Sequence, residues 1–293
     1  MKTSQQSYPE LAKMLGIAEI YLKREDLHTY GSHKGRSIPY MMKEYLKSGQ
    51  TQFVISSSGN AALAVALFTY KHNQNNPDNR ITLEIFVGEK ITKEKLARLS
   101  SLLSDRIQIF QTERPKQQAL QAKSEGKVYL RQSTDDLALV GYQELAEELL
   151  KIPNLAAVFI PTSSGTTAQA LGEVFLQSSQ KPQVHIVQTE ACHPIASAMN
   201  NKQLTTNKKT SIASAIVDHV AFRKEKVADV VRQSNGNGWI VSDEEIQEVL
   251  SLVQETTGID ISPNSALSVA GLKEAIKNGW SWTGTIVCLI TGA

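Results

Sequence analysis

The sequence predicts an α/β fold with mostly parallel sheets, and three observations carry that expectation. Short apolar, β-branched runs recur along the 293 residues, at 51–55, 81–87, 106–110, 156–160, 184–188 and 285–290. Helix-length segments lie between and after them, at 61–72, 141–150, 168–177, 243–255 and 266–278, and alternation of this kind signals βαβ units. Ser242 followed by Glu245 adds a capping box to the head of the helix at 243.

In chain order, a short strand around Tyr21 leads through a charged turn and Gly31-Ser32 to a helix start at Lys34. The run Thr51-Gln-Phe-Val-Ile55 is the next strand and passes through Ser57-Ser-Gly-Asn60 into the helix from Ala61. The polar stretch 72–79, rich in Asn and closed by Pro77-Asp-Asn79, reads as an exposed loop. The strand at 156–160 passes through Thr162-Ser-Ser-Gly-Thr166 into the helix from Ala168. The stretch 200–209 reads as a second exposed loop, and 285–290 as a strand close to the end of the sequence.

Composition narrows the function classes. With 41% apolar residues, 20% charged residues and a formal net charge of +2, the chain has the balance of a soluble globular protein. Its basic clusters go no further than pairs such as Lys208-Lys209, which argues against a nucleic-acid footprint and for a small-molecule partner. The polar start Met1-Lys2-Thr3-Ser4-Gln5-Gln6 has no apolar core of a signal peptide, so a cytoplasmic location is expected. Apolar stretches such as 61–68 and 286–290 fall short of the roughly 20 residues of a membrane span. Cys192 and Cys288 have neither disulfide-framework nor zinc spacing and read as small core residues, so no metal is expected. Neither internal repeats nor low-complexity tracts occur.

Three segments carry chemistry. A lysine at a helix N-terminus, as Lys34 would be, sits in a field that disfavours its charge and makes its amine a better nucleophile; the bland alternative is a solvated surface lysine. The strand-to-helix passage at Ser57-Ser-Gly-Asn60 exposes N–H groups suited to a carboxylate, unless Ser58 or Asn60 merely caps the helix. Thr162-Ser-Ser-Gly-Thr166 offers hydroxyls and N–H groups for a phosphate, or again a cap. Walker, dinucleotide-fingerprint and G-x-S-x-G patterns are absent.

In this order the segments resemble the fold type II pyridoxal-phosphate (PLP) enzymes, the tryptophan-synthase-β-like superfamily. Lys23-Arg-Glu-Asp-Leu27 with Gly31-Ser-His-Lys34 resembles their PLP-lysine motif, Ser57-Ser-Gly-Asn-Ala61 their asparagine loop and Thr162-Ser-Ser-Gly-Thr166 their phosphate loop. Further landmarks at 210–216, 241–246, 263–267 and 290–292 are closest in pattern to threonine synthases, so the resemblance spans nearly the whole chain. It implies a two-lobed, three-layer α/β/α fold with PLP in the cleft between lobes. The large PLP-binding lobe would be residues 1–42 and 140–293, and the small mobile lobe, with the asparagine loop, residues 43–139. It also implies a homodimer, and a small amino acid as substrate.

The same resemblance implies roles. Lys34 would carry the cofactor as a Schiff base and serve as catalytic acid and base. Asn60 would meet the phenolic oxygen of PLP. Ser57, Ser58, Gly59 and Asn60 would hold the substrate carboxylate, Thr162, Ser163, Ser164, Gly165 and Thr166 the cofactor phosphate, while Thr291 would face the pyridine nitrogen. The chain departs from threonine synthases in having His33 and Gly35 beside the lysine and in stopping just after Thr291-Gly292. His33 is read as a structural residue beside the cofactor, with proton relay as the alternative. A substrate phosphate would need further cations, for which Lys23, Arg24 and Arg36 are candidates. The implied activity is a lyase or β/γ-replacement reaction, threonine synthesis from O-phosphohomoserine first, with a serine/threonine ammonia-lyase or a non-catalytic PLP-binding relative as alternatives.

Overall fold

The computed structural model describes residues 2–200 and 210–292. In chain order its elements begin with β1 (Gln5–Ser7), α1 (Pro9–Leu15), β2 (Ile20–Arg24) and a 3-10 turn at Glu25–Leu27. Then come α2 (Lys34–Lys47), β3 (Gln52–Ser56), α3 (Asn60–Asn75), β4 (Thr82–Gly88), α4 (Lys93–Ser100), β5 (Ile107–Thr112), α5 (Pro115–Ser124), β6 (Val128–Tyr129) and α6 (Leu137–Gly141). The rest comprises α7 (Gln143–Leu149), β7 (Leu155–Pro161), α8 (Thr166–Gln177), β8 (Gln183–Thr189), α9 (Pro194–Asn200), α10 (Lys224–Gln233), β9 (Gly238–Val241), α11 (Asp243–Thr257), α12 (Pro263–Lys277) and β10 (Thr285–Ile290). They form two compact units, Met1–His28 with Tyr142–Ala293, and Thr29–Gly141.

The larger unit holds a six-stranded sheet in the order β1-β2-β10-β7-β8-β9, parallel except for the antiparallel edge strand β1. Its central strands β10, β7 and β8 are buried on both faces, as parallel sheets require. Ile20, Leu22, Phe159, Val187, Ile286 and Cys288 turn to one face, where Leu11 of α1, Val249 of α11 and Leu267 of α12 meet them. On the other face Gly172 of α8 lets Val184 of β8 and Val230 of α10 close in. Ser242 caps α11 in the expected capping box with Glu245, and Ser262 caps α12 ahead of Pro263. Lys23 of β2 is fully buried, paired with Glu148 of α7 and bonded to the Thr3 carbonyl and Gln5. The full set of partners is what makes a buried charge tolerable.

The smaller unit holds a parallel sheet in the order β5-β4-β3-β6. Phe53 and Ile55 pack with Ile38 and Met42 of α2 and with Val65 of α3, whereas Val54 packs on the opposite face with Ala119 and Ala122 of α5. Both units are thus three layers deep, helices on each side of a mostly parallel sheet.

Several local expectations change. Helix α3 continues through 72–75, so the loop begins only at Asn76, whose N–H is held by the His72 carbonyl at 2.9 Å. The helix expected over 141–150 is α7, which starts two residues later, after Tyr142, where the chain re-enters the larger unit, and a separate helix, α6, precedes it. By compactness Thr29–Gly141 forms one unit, and α2 with Lys34 falls inside it. Of the stretch 200–209, Asn200 closes α9, and the remainder, with the Lys208-Lys209 pair, lies outside the described residues. Among the described residues no helix is long and apolar enough to cross a membrane.

All three tryptophans of the chain gather around His185 in the larger unit. The His185 ring stacks on Phe159 at 4.5 Å between centroids, and Trp239, Trp280 and Trp282 lie within 6.1 Å of it. Trp239 Nε1 donates to His185 Nδ1 (3.1 Å), so the ring's proton sits on Nε2, 3.1 Å from Gln183 Oε1. Burial pushes the imidazole down to about 3. The folded-state value is depressed below the unfolded one of about 6.5, so this group stabilises the fold above pH 6.5 and its contribution is lost as pH falls toward 3. Unfolding free energy should therefore drop by about 2 kcal/mol from this group between pH 6.5 and 5. Urea denaturation of wild type and His185→Gln across that range checks it; identical pH dependence of the two proteins would refute the assignment.

Candidate functional site

In the smaller unit, Gly31 adopts a left-handed φ of 75°, and a Cβ there would stand 3.3 Å from Leu63 Cδ2 on α3. The turn can therefore lie close against α3, and it delivers Lys34 as the first residue of α2. Ser32, fully buried, accepts the Lys34 N–H with its hydroxyl (3.3 Å) and the Gly35 N–H with its carbonyl (3.0 Å). Lys34 itself is half-buried at the positive end of a helix of 14 residues. Tyr30, just ahead of the turn, lies under the ammonium of Lys71 at 4.8 Å, a cation–π contact that ties the loop to α3.

Helix α3 receives no side-chain cap. Its N-cap is Gly59, in extended conformation, and neither Ser58 nor Asn60 accepts one of the first-turn N–H groups; the capping alternative for this segment is thereby corrected. Ser57 Oγ takes only the Gly59 N–H, at 3.3 Å. Ser57, Ser58, Gly59 and Asn60 are half-buried at the carboxyl end of β3, and they set donor groups at a positive helix end that no side chain caps. Such an end suits an anion.

The larger unit repeats the arrangement. Gly165, with φ of 89°, is the N-cap of α8 and again no side chain caps the helix. Ser164 Oγ and Thr166 Oγ1 lie 3.1 Å apart at its mouth. Thr162 is buried, its hydroxyl donating to the Ile160 carbonyl at 2.8 Å, while Ser163 Oγ accepts the N–H groups of Val217 and Asp218 at 3.2 Å each. Thr291 is buried directly after β10. Since Cys288 pairs with Phe159, Thr291 and Thr162 stand level at the carboxyl ends of neighbouring parallel strands, where α/β sheets bind ligands.

Hydrogen bonds join the later landmarks. Asp243 Oδ1 accepts the Ser211 hydroxyl and the Ile212 N–H, and Asn264 Oδ1 accepts the Ala215 N–H. Ser265 Oγ accepts the Gly292 N–H while Ser262 Oγ donates to the Gly292 carbonyl. The stretch 262–265 thus holds the turn that carries Thr291 and, through Asn264, also ties in the stretch 211–215.

Two of the cations set aside for a substrate phosphate are otherwise engaged. Lys23 is the buried partner of Glu148, and Arg24 forms a two-pronged pair with Asp26, the shortest contact 2.7 Å. Arg36 is buried in the first turn of α2. Sequence reasoning missed Arg98 of α4, whose guanidinium comes within 3.8 Å of a Cβ placed on Gly31. It also missed Gln132, buried beyond the carboxyl end of β6 and bonded to Ser37 of α2. The run Arg131-Gln-Ser-Thr-Asp-Asp136 looked like any polar loop.

The chain belongs to the family of pyridoxal-phosphate dependent enzymes, whose sequence model matches residues 2–292. Among curated relatives, it is 25% identical to the threonine synthase of Methanosarcina acetivorans and 24% identical to that of Methanocaldococcus jannaschii, in each case over 96% of this chain and 72% of the relative. Among solved structures, a pyridoxal 5'-phosphate-dependent aspartate racemase superposes with a TM-score of 0.86 at 19% identity, covering 100% of this chain and 90% of that one. A fungal L-serine ammonia-lyase from Rhizomucor miehei gives 0.81 at 19% identity, covering 100% and 94%. These likenesses establish the fold type II architecture, and the cofactor of the family is pyridoxal 5'-phosphate.

The residues present suit that cofactor. An amine at a helix head and uncapped N–H groups beside hydroxyls match an aldehyde and a phosphate in chemistry. Gly165 is essential to the second feature, because a Cβ there would come within 2.5 Å of Val227 Cγ2 on α10 in a backbone region that costs a side chain about 1–2 kcal/mol. Gly165→Ala should therefore lower the urea midpoint and weaken PLP binding together; a variant with wild-type values for both would show that the helix mouth adapts.

Proposed function

We propose that this chain is a PLP-dependent lyase or β/γ-replacement enzyme acting on a small amino acid, with threonine synthesis from O-phosphohomoserine as the leading reaction. The observation that carries the reading is that β3 and β7 each pass through small polar residues into a helix whose N-cap is glycine, Gly59 and Gly165, so that Ser57-Ser-Gly-Asn60 and Thr162-Ser-Ser-Gly-Thr166 both stand at a helix head at the carboxyl end of a parallel strand.

Bound pyridoxal phosphate supplies the electron sink for breaking bonds at the substrate α-carbon. In this reading Lys34 holds the cofactor covalently through Nζ, and the same amine, once released, moves the α-proton. Asn60 donates to the ring oxygen. The N–H groups from Ser57 to Asn60 bind and orient the substrate carboxylate. Thr162, Ser163, Ser164, Gly165 and Thr166 grip the phosphate. Thr291 presents a neutral hydroxyl to the ring nitrogen, and a hydroxyl in place of a carboxylate leaves that nitrogen unprotonated, which favours elimination and replacement.

A serine/threonine ammonia-lyase is the second reading. The engagement of Lys23 with Glu148 and of Arg24 with Asp26 favours it, because it removes two of the three cations held in reserve for a substrate phosphate. Assay of O-phosphohomoserine, L-serine and L-threonine separates the two, through phosphate release in the first case and oxo-acid formation in the others. Activity on none of the three would leave the non-catalytic relative.

Protein purified with PLP should show a visible band that borohydride fixes covalently, and Lys34→Ala should abolish both; a fixed adduct in the variant would end the assignment. Ser164→Ala with Thr166→Ala should each remove a charge-assisted bond of about 1.5–3 kcal/mol, lowering PLP affinity at least tenfold per site. Wild-type affinity in the folded double variant would take this loop out of the site.

A further inference from the structure

Among the residues of the smaller unit, Gln132 is the one whose placement goes beyond the functional assignments above. It lies just past β6, two residues beyond Leu130, whose N–H still pairs with the Val54 carbonyl of β3 at 2.9 Å. Gln132 thus stands level with the start of the Ser57–Asn60 passage at the carboxyl edge of the same sheet. From there its amide Nε2 donates to Ser37 Oγ on α2. Ser37 is fully buried and Gln132 is 8% exposed, so the bond joins two polar side chains at the margin of a core built from Ile38, Met41, Phe53, Ile55 and Ala138. Breaking such a bond from one side leaves the other group buried and unpaired.

The first turn of α2 has particular need of such a tie. Pro39 lies inside the helix and has no N–H to give to the carbonyl of Gly35, four residues before it. One of the bonds that would lock the turn to the rest of its helix is therefore missing. Tertiary contacts replace it. Ser32 Oγ takes the Lys34 N–H. Gly141, at the end of α6, lies so close that a Cβ would fall 2.5 Å from Ser37 Cα and 3.0 Å from the Arg36 carbonyl oxygen. Gln132 completes the set, and it links this turn directly to the stretch that follows β6, beside the asparagine passage.

We infer that Gln132 is a positioning residue: by bonding Ser37 it fixes the helical turn that carries Lys34 to the sheet edge that carries Ser57 to Asn60. The inference rests on the reading of Lys34 as the cofactor lysine. It requires no contact between Gln132 and substrate or cofactor. A side chain acting in this way should govern the mobility of the first turn and the environment of the lysine amine, and leave the larger unit untouched.

The test compares full-length wild type with Gln132→Leu, with Ser37→Ala and with the double variant. Hydrogen exchange of the amides at 35–38 should accelerate at least tenfold in both single variants, with peptides of the larger unit unchanged. In PLP-loaded protein, the pH at which the visible band titrates should shift, and the PLP dissociation constant should rise about tenfold. Because both substitutions cut the same bond between Gln132 and Ser37, the double variant should be no worse than the poorer single. Gln132→Glu, which lets the Ser37 hydroxyl donate to a carboxylate, should recover part of the slow exchange. Exchange and band titration within twofold of wild type in both single variants would overturn the inference, as would additive losses in the double variant. If Gln132→Leu fails to fold, Ser37→Ala poses the same question with a smaller change. Should Lys34→Ala retain the reducible adduct, the cofactor reading fails on its own, and exchange at 35–38 still reports on the Gln132 to Ser37 tie.

Discussion

A parallel strand followed by a helix delivers the helix N-terminus to the carboxyl edge of the sheet, and the chemistry assigned to this chain depends on that geometric constraint. It operates in the smaller unit from β3 into α3 and in the larger unit from β7 into α8. In both, the chain inserts a glycine as N-cap and surrounds it with hydroxyls that do not cap. The result is a positive helix end flanked by hydroxyls. Burial of the central strands on both faces keeps these edges in register, so the stability of the layers and the placement of the donors have one origin.

Around that framework, polar side chains inside each unit act as fasteners. Lys23 and Glu148 hold β2 to α7, and with them the edge strand β1 through Thr3 and Gln5. Ser265, Ser262, Asn264 and Asp243 hold the loops beside Thr291. In the smaller unit Tyr45 donates to Asp135 at 2.7 Å, and Asp135 also accepts the Leu137 N–H that opens α6. Burial and that acceptor together push the Tyr45 phenol up to about 12. Each fastener joins elements far apart in sequence, which is why single-residue patterns announce so few of them.

The legible part of the molecule is the part written in local pattern. The apolar runs located β3, β4, β5, β7, β8 and β10 to within about two residues, and the spacing of Ser242 and Glu245 was enough to announce α11. The site segments were visible for the same reason, because strand, small polar residues and helix follow one another without interruption. What escaped depended on partners elsewhere. The stretch 72–79 looked like a loop because asparagines are poor helix formers, yet α3 carries on to Asn75, where Asn73 bonds both backbone groups of Ile81. Lys23 looked like a cation available to a ligand, since nothing near it in sequence shows that Glu148 waits on α7. Gln132 was hidden in an ordinary polar run, and Pro39 within α2 gave no sign of which contacts would compensate for it.

The gathering of Trp239, Trp280 and Trp282 around His185 leaves the unit Thr29–Gly141 without an indole. Intrinsic emission of this protein is therefore a one-sided signal. It follows the packing beside β8 and β9 and is silent on whether α2 and α3 are folded. Loosening of the smaller unit, including the turn that carries Lys34, would pass unseen in tryptophan fluorescence while its five tyrosines, backbone ellipticity or a bound chromophore registered it. A single emission transition in this chain is a property of one unit, and only agreement with a second probe makes it a property of the whole.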